Sequence, residues 1–192
     1  RHLGKYLNVS KLKFEKELRE KYEGRLDEEM IASIVDDRVK SELASGVQTI
    51  QYQINTLMTT NGQSPFVTLF MYLDEEDEYI EETAQIFEEI FKQRIKGIKN
   101  EAGAYVTPAF PKLVYVLDEN NNLSGGKYDY LTELAVECSS KRMYPDYISA
   151  KKMREIYQGN VFSPMGCRSF LSPWKDENGN YKFEGRLNQG VV

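Results

Sequence analysis

Two residues in the C-terminal part of the chain have the types and surroundings that chemistry requires. Cys167 lies in Met165-Gly166-Cys167-Arg168-Ser169-Phe170-Leu171, between a glycine and an arginine in a loop-like stretch. Asn188 follows 21 positions later in Gly185-Arg186-Leu187-Asn188-Gln189-Gly190-Val191-Val192, at the head of an apolar run. A catalytic thiol needs an accessible loop and a polar group that meets it in space. Gly166 permits unusual backbone angles or close approach, and Arg168 favours a thiolate where its side chain reaches the sulfur. The competing reading of Cys167 is a small apolar residue in a buried loop, a common place for cysteine. Asn188 taken alone reads equally as a turn or strand-start amide.

The other polar candidates are weaker. Cys138 falls on the apolar stripe of a helix and reads as core. A protease-type thiol is a poor fit for either cysteine, because its base would have to be His2, the single histidine. Asn55, Asn61 and Gln63 have ligand-binding amides, but such amides also stabilise turns. The acids of Asp74 to Glu82 resemble a metal cluster in composition only and read as a solvated turn and helix start. No glycine-rich nucleotide motif occurs, and Gly125-Gly126 reads as a loop. Two cysteines give neither a disulfide framework nor a CxxC pair, and with one histidine they leave no four-ligand zinc set, so no metal site is expected.

Composition sets the frame. At 192 residues the chain is long enough for one domain with a core. With 41% hydrophobic and 29% charged residues it reads as soluble and globular. No apolar run reaches the ~18 residues of a membrane helix, and no signal peptide opens the chain, so a cytoplasmic protein without membrane contact is expected. The net charge of −5 argues against a general nucleic-acid surface but leaves room for nucleotides, which need only a local pocket. The first residue is not methionine, and Val191-Val192 fall inside an apolar strand-like run, so a segment of a longer protein is expected.

The elements that must position Cys167 alternate. Val9 to Glu23 predicts an exposed, weakly amphipathic helix. A second helix opens at Glu28 behind Asp27 and runs to Ser45 or beyond. Gly46 then interrupts an apolar pattern that continues to Leu57, which predicts one long helix with a weak point or two helices. Ser64 to Leu73 and Pro108 to Leu117 read as buried strands, and Glu78 to Ile98 and Tyr128 to Arg142 as helices. Asp118 to Gly126 reads as a polar loop. Tyr147 to Ala150 suggests a third strand, Lys151 to Tyr157 a short helix or irregular stretch, and Gln158 to Leu171 a loop. Asp176 to Asn180 marks a hairpin turn, and Leu187 to Val192 the start of a strand. Strands alternating with long helices predict an α/β fold with parallel pairing.

Several segments, in order over about three quarters of the chain, resemble one family. They are Ile50-Gln51-Tyr52-Gln53-Ile54-Asn55-Thr56-Leu57, Asn61-Gly62-Gln63-Ser64-Pro65-Phe66-Val67-Thr68, Lys112-Leu113-Val114-Tyr115-Val116-Leu117, Tyr128-Asp129-Tyr130-Leu131 and Ala135-Val136-Glu137-Cys138-Ser139-Ser140-Lys141-Arg142-Met143-Tyr144-Pro145-Asp146. The series ends in the two motifs around Cys167 and Asn188. Their combination resembles the anaerobic (class III) ribonucleoside-triphosphate reductases, the glycyl-radical branch of the ribonucleotide reductases. The resemblance implies a ten-stranded α/β barrel, of which residues 1–192 would be roughly the first half, a partial catalytic domain. It implies that Cys167, at the tip of a loop threading the barrel, becomes a thiyl radical that abstracts the ribose 3′-hydrogen before the 2′-hydroxyl leaves as water. Asn188, on the following strand, would hydrogen-bond the ribose hydroxyls. A thiyl needs no histidine base, which suits a chain almost without histidine.

The same resemblance implies partners and parts outside this chain. The substrate would be a ribonucleoside triphosphate, with deoxynucleotide and ATP effectors, a radical-SAM activating protein and a homodimer built on long helices, here Glu28–Leu57 and Glu78–Ile98. The glycyl-radical loop and a four-cysteine structural zinc site would follow Val192. The hydrogen-donor cysteine, which Cys138 does not match, would precede Arg1, as would the ATP-binding regulatory domain. Formate or a thiol system would be the reductant, and the segment alone would be inactive. Two other readings are a formate-lyase-type glycyl-radical enzyme and a non-catalytic nucleotide-binding dimerisation module.

Overall fold

The computed structural model describes residues 3–22, 24–57, 62, 65–122, 125–164 and 174–182. Two helices come first, α1 (Leu3–Tyr22) and α2 (Glu28–Thr56). Asp27 caps α2, its Oδ1 accepting the Met30 N–H at 2.7 Å, and Glu28 and Glu29 place negative charge at the positive end of the helix. Helix α2 runs unbroken through Gly46, which settles the open choice in favour of one helix. A glycine there costs about 1 kcal/mol relative to alanine, and the burial of Val39, Val47 and Ile54 on either side offsets it.

Helix α1 starts six residues earlier than expected and is less exposed than its charge suggests: Gly4, Leu7 and Leu18 are buried. Gly4 lets α1 lie against the start of the helix at Ile80–Lys96, because a Cβ there would sit 2.7 Å from the carbonyl oxygen of its N-cap, Tyr79.

A βαβαβ run follows. Strand β1 (Thr68–Met71) leads to α3 (Ile80–Lys96), then to a small antiparallel hairpin of β2 (Ile98–Lys99) and β3 (Tyr105–Val106). Strand β4 (Lys112–Leu117), the single-turn α4 (Glu119–Asn122), α5 (Asp129–Arg142), β5 (Asp146–Ser149) and α6 (Ala150–Ile156) complete it. A second hairpin, β6 (Trp174–Lys175) with β7 (Tyr181–Lys182), closes on the expected turn. The first hairpin was not legible, since two-residue strands are too short to show an alternation.

The sheet has the order β1-β4-β5, all parallel, with Thr68 opposite Lys112 and Val114 opposite Asp146. The expected α/β class with parallel pairing is therefore present. Helices α3 and α5 pack on one face of the sheet, where Phe87, Phe91, Leu131, Ala135 and Cys138 meet Met71, Leu113 and Tyr115. Each of the larger aliphatic and phenyl side chains among them contributes about 1.5–3 kcal/mol by leaving water. The Phe91 and Tyr115 rings meet edge to face at 5.4 Å.

The entry to β4 is held by side chains. Pro108 and Pro111 have no N–H to pair, so this stretch cannot build its own ladder. Arg94, only 2% exposed, donates to the Pro108 carbonyl at 2.7 Å and to the Pro111 carbonyl, and its guanidinium stacks 5.3 Å from the Tyr144 ring. Asn55 Nδ2 donates to the Phe110 carbonyl at 2.8 Å, which gives that amide a structural task. Burial pushes the Arg94 pKa down to about 10, so the side chain stays protonated at neutral pH. From α5, Arg142 donates to the Ile95 and Lys96 carbonyls at 2.9 and 3.0 Å and caps the end of α3.

Replacing Arg94 with alanine leaves two buried carbonyls unpaired and opens a void. The Arg94→Ala variant is expected to lose about 3–5 kcal/mol of stability, read as a fall in the urea midpoint. An unchanged midpoint would show that the guanidinium does not hold the entry to β4.

Candidate functional site

Parallel sheets bind ligands beyond the carboxyl ends of their strands, and three side chains converge at that end here. Tyr72 directly follows β1, Asp118 directly follows β4, and Arg154 sits on α6, which directly follows β5. Arg154 Nη1 donates to Asp118 Oδ1 at 3.0 Å and Nη2 to Asp118 Oδ2, a two-pronged pair. The same Nη2 lies 3.0 Å from the Tyr72 hydroxyl, which in turn donates to Asp118 Oδ2 at 3.4 Å. Donation to Asp118 holds the Arg154 pKa above the ordinary arginine value. Burial raises the Tyr72 phenol, against the opposing effect of Arg154.

The asparagines behind this group are structural. Asn121, fully buried, accepts the Asp118 N–H at 2.8 Å and donates to the Val116 carbonyl at 3.0 Å. Asn120 donates to the Leu73 carbonyl at 3.0 Å. The stretch expected to be a polar loop is therefore in part the one-turn α4, whose amides hold the ends of β1 and β4. Thr132 Oγ1 donates to the Asn121 carbonyl and lies 3.1 Å from the Tyr115 hydroxyl, whose pKa burial pushes up to about 12.

A cleft of about 730 Å³ opens over these strand ends. Its described lining carries Asp74, Glu75, Glu76, Asp118 and Glu119 against the single cation Arg154, which is already paired. A triphosphate would meet net repulsion from these side chains. The far wall is Gly159, Asn160 and Val161, on the segment that leaves α6 and leads in sequence to Cys167.

Cys167 and Asn188 lie outside the described residues, as do Asn61, Gln63, His2 and the strand expected from Leu187. Cys138 is fully buried in the core, as expected, and burial pushes its thiol up to about 11. The acids after β1 form turns: Asp74 Oδ1 accepts the Glu76 N–H at 3.2 Å and Asp77 Oδ1 the Tyr79 N–H at 3.1 Å. Among the described residues no three metal-ligating side chains are grouped to hold an ion. Sequence reading missed the group at the strand ends. Asp118 was within reach, since it directly follows a strongly apolar strand, but nothing local marks Arg154 or Tyr72 as its partners.

Comparison with known sequences decides the family. The family profile described as anaerobic ribonucleoside-triphosphate reductase matches residues 2–192. The chain belongs to the anaerobic ribonucleoside-triphosphate reductase family. Proteins of that name from Enterobacteria phage T4 and Escherichia coli K12 are 44% and 40% identical to it, over 81% and 82% of this chain. The Haemophilus influenzae protein of that name is 35% identical over 99% of it. The matched region is 25%, 21% and 25% of those three relatives, so the chain spans about a quarter of their length. Membership in the reductase family disfavours the formate-lyase-type reading.

The burial of Cys138 protects its thiol from solvent reagents. At pH 8, Cys138 is expected to resist iodoacetamide in the native protein and to react only after unfolding. Mass spectrometry of the digested protein reads the difference, and rapid native labelling of Cys138 would contradict its burial.

Proposed function

We propose that the protein to which this chain belongs reduces ribonucleoside triphosphates to deoxyribonucleoside triphosphates by thiyl-radical chemistry, and that residues 1–192 are part of its catalytic barrel. The observation that carries this reading is the family match across residues 2–192, which includes the Met165-Gly166-Cys167-Arg168 and Asn188-Gln189-Gly190 motifs. In this reading the Cys167 sulfur takes the ribose 3′-hydrogen and the 2′-hydroxyl departs as water. The Asn188 amide orients the ribose hydroxyls, as positioned donors do at sites of developing charge. The unpaired electron must come from outside these residues, and a glycyl radical is the source the family resemblance assigns.

The fold supports the larger architecture. Three parallel strands joined by helices packed on one face are the repeating unit of an α/β barrel. The long helices support a homodimer unevenly. Helix α2 keeps apolar side chains exposed, with Met30 at 54% and Tyr52 at 66%, whereas α3 uses its apolar stripe against the sheet. Effector sites for ATP and deoxynucleotides, and contact with a radical-SAM activating protein, belong to the same proposal. So do formate or a thiol system as reductant and a cytoplasmic location. No described helix is long and apolar enough to cross a membrane. This chain's two cysteines cannot by themselves build the implied four-cysteine zinc site.

The test uses the full-length protein. Cys167→Ser and Cys167→Ala are expected to abolish deoxynucleotide formation, by at least ~10³-fold, while the activating radical still forms by electron paramagnetic resonance. Asn188→Ala is expected to lower turnover by about 10²-fold. Full activity in either Cys167 variant would sink the proposal.

A further inference from the structure

Arg154 acts through both its side chain and its backbone where the chain leaves α6, in sequence before Cys167. The Arg154 side chain binds the ends of β1 and β4 through Tyr72 and Asp118. The Arg154 carbonyl accepts the Gly159 N–H at 2.8 Å, closing the turn that ends α6. Gln158 and Gly159 both take positive φ, 54° and 85°, so the chain reverses there instead of extending the helix. The Tyr157 and Phe162 rings then meet edge on at 4.6 Å, and Asn160 Nδ2 donates back to the Tyr157 carbonyl at 2.9 Å. The reversed stretch forms the wall of the cleft that faces Tyr72 and Asp118. Cys167 comes three positions after Pro164.

We propose that Arg154 is a positioning residue that, through its two-pronged pair with Asp118 and its bond to Tyr72, fixes the direction in which the chain leaves α6 toward Cys167. The guanidinium suits this task because its planar fork meets both carboxylate oxygens at once and so fixes orientation as well as distance. Its charge is already paired with Asp118, which argues against a primary role in gripping substrate phosphates. The inference rests on the proposed role of Cys167. A reacting sulfur displaced by about 1 Å can lose about 10²-fold in rate without any change in substrate affinity.

Full-length protein carrying Arg154→Met, Arg154→Lys or Tyr72→Phe provides the test, with kcat, KM for the ribonucleoside triphosphate, radical yield per protomer and melting temperature measured for each. Arg154→Met is expected to lower kcat about 10²-fold with KM within threefold and radical yield unchanged. Arg154→Lys, which keeps the charge without the fork, is expected to fall about tenfold, and Tyr72→Phe about threefold. If Arg154→Met does not fold, Arg154→Lys decides. Wild-type kcat in the folded arginine variants overturns the inference. So does a loss expressed in KM, which would make Arg154 a substrate ligand, or a loss that follows radical yield. An unsubstituted parent that forms no deoxynucleotide overturns the proposed function itself, whereas an active parent indifferent to Arg154 overturns only this role.

Discussion

The guanidinium of Arg94, buried where the chain enters β4, supplies hydrogen bonds that a proline-bracketed stretch cannot find in its own backbone. Pro108 and Pro111 remove two donors from a segment that must deliver the central strand of the sheet. Arg94 and Asn55 satisfy three of its carbonyls, and Tyr144 stacks on the same guanidinium just before β5 begins. A buried cation with no carboxylate partner among the described residues costs desolvation, and its fixed bonds to carbonyl oxygens and the aromatic face offset that cost. One side chain on α3 therefore joins the starts of β4 and β5 to the helix that packs over them.

The opposite end of the sheet follows the same logic with other residues. Asn121 and Asn120 hold the ends of β4 and β1 through their backbone, and Asp118, Tyr72 and Arg154 join the three strands through side chains. Because β4 is fixed at entry and exit, its neighbours are held in register on both sides. Strands β4 and β5 end level, with Leu117 opposite Ser149, β1 ends two residues earlier, and a cleft opens above them. The polarity of that cleft sets a limit on its use: among its described lining the carboxylates outnumber the one paired cation, so a triphosphate bound there would have to be held by groups other than these side chains.

For the radical chemistry proposed above, such a division of labour is physically sensible. A thiyl needs no basic partner but depends on a defined position and a shielded site. In the proposed function, a rigid α/β layer with a short, reversed lead-in from α6 would serve the first demand. The second would be met by the closed barrel that the family resemblance implies, with which three parallel strands covered by helices on one face are compatible.

Local signals carried much of the fold. The apolar runs around Phe70 and Val114, the three- and four-residue spacing in α3 and α5, and the Asp27 cap are short-range features that the physics of period and capping makes visible. The ordered motifs ending in Cys167 and Asn188 were likewise enough to suggest the family. What the sequence could not decide were contacts between residues far apart in the chain: Arg94 with Pro108 and Tyr144, Arg154 with Tyr72 82 positions away, and Gly4 against Tyr79. Continuity of α2 through Gly46 and the task of Asn121 belong with them. Propensity and periodicity describe a residue and its near neighbours, whereas a buried arginine or amide takes its partner from whichever carbonyl or carboxylate the packed elements bring within 3 Å, and only the tertiary structure makes that choice.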